Sequence, residues 1–207
     1  MLGFVSASRR REFETLIAPC LDGMFSAALR LTKHQGNAED LVQDTVVRAW
    51  KFFDKFERGT NFKAWIFRIL TNTFINTYRR SNRERSLNDE GERQSVEATF
   101  YSPDAIADSL NPEEAMLAHV MSDEVLQAVD ALPVDFRMVV VLADLQDFAY
   151  NEIATILNIP VGTVMSRLFP ARRQLQKSLS AAAQNEKNSN TVDINVFRER
   201  HRLASDQ

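Results

Sequence analysis

The stretch from Phe148 to Leu175, FAYNEIATILNIPVGTVMSRLFPARRQL, admits few folds. Glu152, Ile153, Ala154, Ile156 and Leu157 read as a short first helix, and small Ala154 lets a second helix cross closely over it. Asn158 follows, a residue that tolerates positive φ better than most others except glycine. Pro160 then suits the start of a new helix, where a missing N–H costs nothing. Val161, Val164, Leu168, Ala171 and Leu175 recur at intervals of three and four, one apolar stripe at helical period. The pattern predicts a helix-turn-helix. Its opposite stripe, with Thr163, Ser166, Arg167 and Pro170, offers groups that can face base edges, with Arg172 and Arg173 near phosphates. The same pattern also fits an αα-corner in an ordinary helical core.

Composition limits what such a motif can do. Of 207 residues, 44% are hydrophobic and 26% charged, the balance of a folded chain. Formal net charge is −3, so any nucleic-acid contact must rest on local basic clusters and not on a global positive field. A single cysteine, Cys20, excludes an intramolecular disulfide and any cysteine-rich zinc site. It reads as a small core residue, with a redox switch as the alternative. No apolar run approaches membrane-spanning length.

The chain divides into four parts. Residues from about 9 to 85 alternate apolar and charged positions at helical period. Residues 86–115 hold Asp89, Glu90, Glu92, Glu97, Asp104, Asp108, Glu113 and Glu114 against Arg93, with Gly91, Pro103 and Pro112, and read as a flexible acidic linker. Helical period returns over 116–182, and 183–207 form a polar tail of unknown role. No strand-like alternation is long enough for a sheet, so the expected class is all-α.

In the first part, Phe13, Leu16, Ile17, Cys20, Leu21, Met24, Phe25, Ala28, Leu29 and Leu31 form one stripe ending near His34. Gly36-Asn37 reads as the break, with Asn37 capping the next helix and Asp40 as the acid three positions on. That helix buries Leu41, Val42, Thr45, Val46, Ala49, Trp50 and Phe53, and shows Glu39, Asp40, Gln43, Asp44 and Lys51 outward, a face that also fits simple solvation. After the loop FERGTNFKAW, a third helix mixes Asn72, Thr73 and Asn76 with Phe74 and Tyr78 on its outward face and ends in Arg79, Arg80, Arg83 and Arg85. Aromatics stack bases, amides bond their edges and arginines neutralise phosphates, which fits a single-strand surface. The macrodipole favours the same terminal arginines with no ligand.

No catalytic constellation is present. His34, His119 and His201 lie far apart without spaced partners, and there is no glycine-rich phosphate loop, nucleophile elbow or zinc-protease motif. The expectation is a protein that is not an enzyme and uses no metal, cofactor or small-molecule substrate.

Three segments in order, AEDLVQDTVVRAW, FERGTNFKAWIFRILTNTFIN and LPVDFRMVVVLADLQDFAYNEIATILNIPVGTVMSRL, resemble the extracytoplasmic-function (group IV) sigma factors of bacterial RNA polymerase. The resemblance covers roughly residues 10 to 182. It implies two small helical domains. Residues 9–85 would be sigma region 2, a three- to four-helix bundle, and residues 116–182 would be sigma region 4, the helix-turn-helix. The partners it implies are core RNA polymerase, promoter DNA and an anti-sigma factor, in a cytoplasmic stress response without membrane insertion. Asp40, Gln43, Asp44 and Arg48 would dock on the polymerase. The loop Glu57, Arg58, Gly59, Thr60, Asn61, Phe62 and Lys63 would take a flipped base of the −10 element, with Asn72, Asn76, Arg79 and Arg80 beside it. Thr163, Ser166, Arg167, Phe169, Pro170, Arg172 and Arg173 would meet the −35 duplex. Family members usually carry a basic or polar residue where Pro170 stands, so a kinked recognition helix is expected here. In the free chain, the acidic linker is expected to hold the two folded parts apart. Two other readings stay open: a stand-alone helix-turn-helix regulator, and a sigma mimic that sequesters an anti-sigma factor.

Overall fold

A computed structural model describes residues 2–88 and 123–189, and all regular structure among them is helical. Helix α1 (Leu2–Ile17) leads through a 3-10 turn (Ala18–Cys20) into α2 (Leu21–Thr32). Then come α3 (Gln35–Phe52), a second 3-10 turn (Phe53–Lys55) and α4 (Phe62–Asn88). The second part comprises α5 (Asp123–Asp130), α6 (Val134–Val140) extended by a π turn (Val141–Leu145), α7 (Tyr150–Leu157) and α8 (Val161–Ser189). Most of the expected linker, and the tail from residue 190, lie outside the described residues.

Two helix boundaries differ from expectation. The apolar stripe from Phe13 to Leu31 is two helices, divided at Ala18-Pro19-Cys20. Pro19 has no N–H to donate and disfavours α geometry at Ala18. Gly36 and Asn37 do not break the chain; they lie in the first turn of α3. The break is Lys33, in left-handed geometry at φ 58°, whose N–H closes α2 on the Leu29 carbonyl at 2.8 Å. His34 is the cap: its Nδ1 accepts from the Asn37 N–H at 3.4 Å.

The first part is built on an aromatic cluster. Phe13 meets Trp50, Phe53 and Phe62 edge-on, and Phe56 packs against Phe62 and Trp65 with centroids 5.2 and 5.3 Å away. Such pairs add roughly 0.5–1.5 kcal/mol each beyond area burial. In the second part Ile153, Ile156 and Leu157 of α7 and Val164, Leu168 and Ala171 of α8 close over Met138–Leu142. Cys20 is buried, and its thiol donates to the Leu16 carbonyl at 3.6 Å. Burial pushes the thiol pKa up, which keeps it protonated and unreactive.

The two parts are not held apart. Helix α2 packs on α5 and α6, and α4 packs on α7, so one apolar core runs through both. Phe67 of α4 meets Phe148 edge-on at 5.1 Å. Within the seam, Arg30 Nη1 donates to Asp130 Oδ2 at 3.0 Å, both residues buried. Arg137, 2% exposed, donates to the Leu132, Arg30 and Leu31 carbonyls. The last two belong to the end of α2, where helical carbonyls lack intrahelical partners. The apolar faces of α2 and α4 extend beyond what the first part covers by itself, and α5–α7 complete their burial.

Candidate nucleic-acid interface

Three surfaces carry the residues singled out from the sequence. The first is α3. Leu41, Thr45 and Ala49 are buried at a spacing of four, Val42, Val46 and Trp50 are half-buried, and Thr45 Oγ1 satisfies itself on the Leu41 carbonyl at 2.7 Å. Helical geometry then turns Asp40, Gln43, Asp44 and Arg48 to solvent, all four exposed. Val47, 67% exposed, stands among them, an apolar side chain that the sequence reading places on neither face. Beside this face lies a cleft of about 350 Å³ between the two parts, whose walls include Leu41, Asp40, Asp44, Phe74, Tyr78 and Val134.

The second surface is the loop before α4 and the outer stripe of that helix. The Thr60 N–H and hydroxyl both close on the Glu57 carbonyl, at 3.2 and 2.6 Å. Gly59 takes φ +89°, a left-handed conformation that a side chain would strain. Arg58 forms a two-pronged pair with Glu12 at 2.9 and 3.0 Å. Asn61 caps α4, its Oδ1 accepting from the Ala64 N–H at 3.1 Å, while its Nδ2 donates to Glu152 of α7 at 2.7 Å. Lys63 Nζ donates to the Gln146 carbonyl at 2.7 Å and sits 4.9 Å from the Phe148 ring centre. Both therefore reach across to the second part.

Phe62 is a correction. It is buried in the aromatic cluster, because the loop needs an apolar anchor to turn into α4, so it supports the surface and does not form it. Thr73 and Phe74, expected outward, are likewise buried, with Phe74 stacked on half-buried Tyr78. The exposed stripe is Arg68, Asn72, Asn76, Arg79 and Arg80. Arg68 was missed, although it stands four residues before Asn72 and so on the same face.

The third surface is α7, its turn and α8. Asn158 has φ 53°, as the turn requires, and the Ile159 N–H closes on Ala154 at 3.0 Å. The Pro160 carbonyl accepts from Thr163 and Val164 at 2.9 and 3.2 Å. Glu152 Oε2 accepts from the Ala149 N–H at 2.9 Å, half of a capping box. The helix pair is bent by 107°, a helix-turn-helix angle.

Val164, Leu168 and Ala171 are buried as predicted, but the outward face is turned from the expected one. Met165, Ser166, Phe169, Arg172, Arg173 and Gln176 are exposed, whereas Thr163, Arg167 and Pro170 are half-buried at its edge. Arg167 pairs with Asp135 at 3.3 Å. Arg172 is held by Asp144 and by the Tyr150 hydroxyl at 3.1 Å, hydrogen bonds that raise its pKa still further. Helix α8 runs unbroken through Pro170. Among the described residues no cluster of three or more His, Cys, Asp or Glu could hold a metal ion, and no single helix is long and apolar enough to cross a membrane.

A polar α3 face, an amide- and arginine-bearing α4 stripe and a helix-turn-helix, set on two helical parts, define the class as a transcription factor of the sigma-70 type. Sigma-70 region 2 matches residues 16–84 and sigma-70 region 4 matches residues 122–175. The chain belongs to the extracytoplasmic-function family of RNA polymerase sigma factors. It is 34% identical over 145 residues to the ECF RNA polymerase sigma-E factor of Escherichia coli K12, covering 70% of this chain and 74% of that one. It is 33% identical over 169 residues to the ECF RNA polymerase sigma factor SigE of Mycolicibacterium smegmatis, covering 81% of this chain and spanning 62% of that protein's length. Two solved structures share the fold. Sigma factor RpoE, bound to anti-sigma factor NepR from Bartonella quintana, has a TM-score of 0.64 at 32% identity, covering 82% of this chain and 98% of RpoE. CnrH, bound to the cytosolic domain of CnrY, has a TM-score of 0.57 at 26% identity, covering 83% and 90%.

Proposed function

We propose that the chain docks on core RNA polymerase through Asp40, Gln43, Asp44 and Arg48 and directs initiation at promoters with −10 and −35 elements. The observation that carries this reading is the sequence of three separate exposed surfaces on one chain, in the order the family uses them. Exposed Glu57–Asn61, with Asn72, Asn76, Arg79 and Arg80, suits an unpaired strand: amides reach Watson–Crick edges and arginines the phosphates. Exposed Ser166, Phe169, Arg172 and Arg173 suit a duplex major groove. A stand-alone regulator would leave the α3 face and the loop without a role, and a sigma mimic would need neither nucleic-acid surface.

Regulation follows from the seam. Asn61 and Lys63 are engaged with the second part, so the −10 surface is fully open only when the parts separate. An anti-sigma factor laid in the cleft between them would cover Asp40 and Asp44 and hold the parts together. One solved relative, RpoE of Bartonella quintana, is bound to an anti-sigma factor. The test is run-off transcription with core polymerase on a promoter library. Specific initiation that depends on the chain is expected, with only weak, salt-sensitive DNA binding by the chain alone, since its basic clusters are small. Tight sequence-specific binding without stimulation of polymerase would favour the stand-alone regulator.

A further inference from the structure

Two large apolar side chains stand on the outer face of α8: Phe169 is 75% exposed and Met165 52% exposed. They sit four residues apart, hence on one side of the helix and roughly 6 Å apart along its axis. Together with Leu168 they form the apolar part of a shallow hollow whose polar border is Tyr150, Arg172, Arg173 and Gln176. Neither is needed for the core, which Val164, Leu168 and Ala171 supply from the other side. Both lie in the first turns of the second helix of a helix-turn-helix, the part that enters the groove when such a motif binds a duplex.

Resting on the proposed −35 reading, we propose that Met165 and Phe169 read thymine methyl groups in the −35 duplex. The argument is chemical. Donors and acceptors line the major groove, and its one apolar group is the C5-methyl of thymine. An apolar side chain carried into the groove can gain only by covering that methyl; against cytosine or a purine edge it removes water from polar groups and returns nothing. The axial separation matches about two base-pair steps at 3.4 Å each, so the two side chains address two positions and not one. The arginines on the border favour DNA over a second copy of the same face, because two such faces would bring like charges together.

The test uses polymerase holoenzyme assembled with the full chain on a −35/−10 promoter selected from a library. Each −35 thymine is replaced in turn by deoxyuridine, which removes the methyl and leaves every hydrogen-bonding group in place. At one or two positions, uracil should lower promoter binding about three- to fivefold, the scale of one buried methyl. Phe169→Ala and Met165→Ala should each abolish the uracil penalty at its own position, with unchanged thermal melting because both sites are exposed. Tolerance of uracil at every −35 position, while scrambling the element still abolishes initiation, overturns the inference and leaves the −35 reading standing. Tolerance of scrambling as well defeats the −35 reading itself. If Phe169→Ala leaves initiation intact but prevents capture by an anti-sigma factor, the hollow is a protein-docking surface and the inference fails. The uracil series on the unmodified chain decides the matter even if a variant folds poorly.

Discussion

Asp44 is a side chain the fold does not need, and the proposed docking role can be tested on it. It is exposed on α3, one position before buried Thr45. Asp44→Lys should change stability by less than about 0.5 kcal/mol, as exposed substitutions do. It should nevertheless weaken assembly with core polymerase, measured by co-elution or by competition with unmodified chain. Normal assembly by a folded variant would remove the docking role from this face. Asn158 is the converse, a residue assigned to the fold. At φ 53° it occupies a conformation that costs most L-residues roughly 1–2 kcal/mol. Asn158→Val should destabilise by that order and Asn158→Gly should be close to neutral, read by thermal unfolding.

At the level of the element, α8 poses the question of Pro170. Proline inside a helix withdraws one N–H and crowds the preceding turn, and α8 continues through it, so packing on both sides holds the helix together. Leu168 and Ala171, flanking the proline, are both buried against α6 and α7 and supply that packing. Pro170→Arg should therefore stabilise, by up to about 3 kcal/mol, because it restores the bond to the Ser166 carbonyl. Pro170 is half-buried at the edge of the outward face, so the new guanidinium can reach a phosphate. The salt dependence of promoter binding should then steepen by about one charge. Higher melting temperature without a change in salt slope would place residue 170 off the DNA.

For the whole molecule, the seam decides which surfaces are available. Removing one partner of a buried ion pair typically costs about 3–5 kcal/mol, so Arg30→Ala should lower stability on that scale and shift the chain toward a parted form, visible by small-angle scattering. The effect should depend on pH. Burial raises the Asp130 carboxyl above the usual range, against the pull of Arg30, Arg137 and Lys33. The closed form thus holds that proton more tightly than a parted one. The contribution of Asp130 to closure is complete below the ordinary carboxylate pKa and is lost as pH rises through the raised value. Without Arg30 the opposing pull weakens, so the variant's deficit should grow as pH rises through that window. Asp130→Asn should flatten the pH dependence in either background.

The sequence by itself determined the helical class, the two parts, the buried stripes of α3 and α8, and the turn at Asn158. Each of these is local: a period of 3.6, a spacing of three or four, or one residue's tolerance of positive φ is written in neighbouring positions. The same local reading placed Asp40, Gln43, Asp44 and Arg48 correctly on the outside, because a buried stripe fixes its own opposite. It misjudged Phe62, Thr73 and Phe74, where an aromatic can serve either a core or a base stack and only packing distinguishes the two. It turned the outward face of α8, because Arg167 finds Asp135 and Arg172 finds Asp144, partners more than twenty residues away that no spacing rule connects. The packing of the two parts on each other was likewise a tertiary matter. It depends on whether the apolar faces of α2 and α4 fit those of α5–α7, and on whether Arg30, Asp130 and Arg137 can satisfy one another when water is removed. Those are questions of shape and distance between segments a hundred residues apart, which the linear order of residues does not encode in any local pattern.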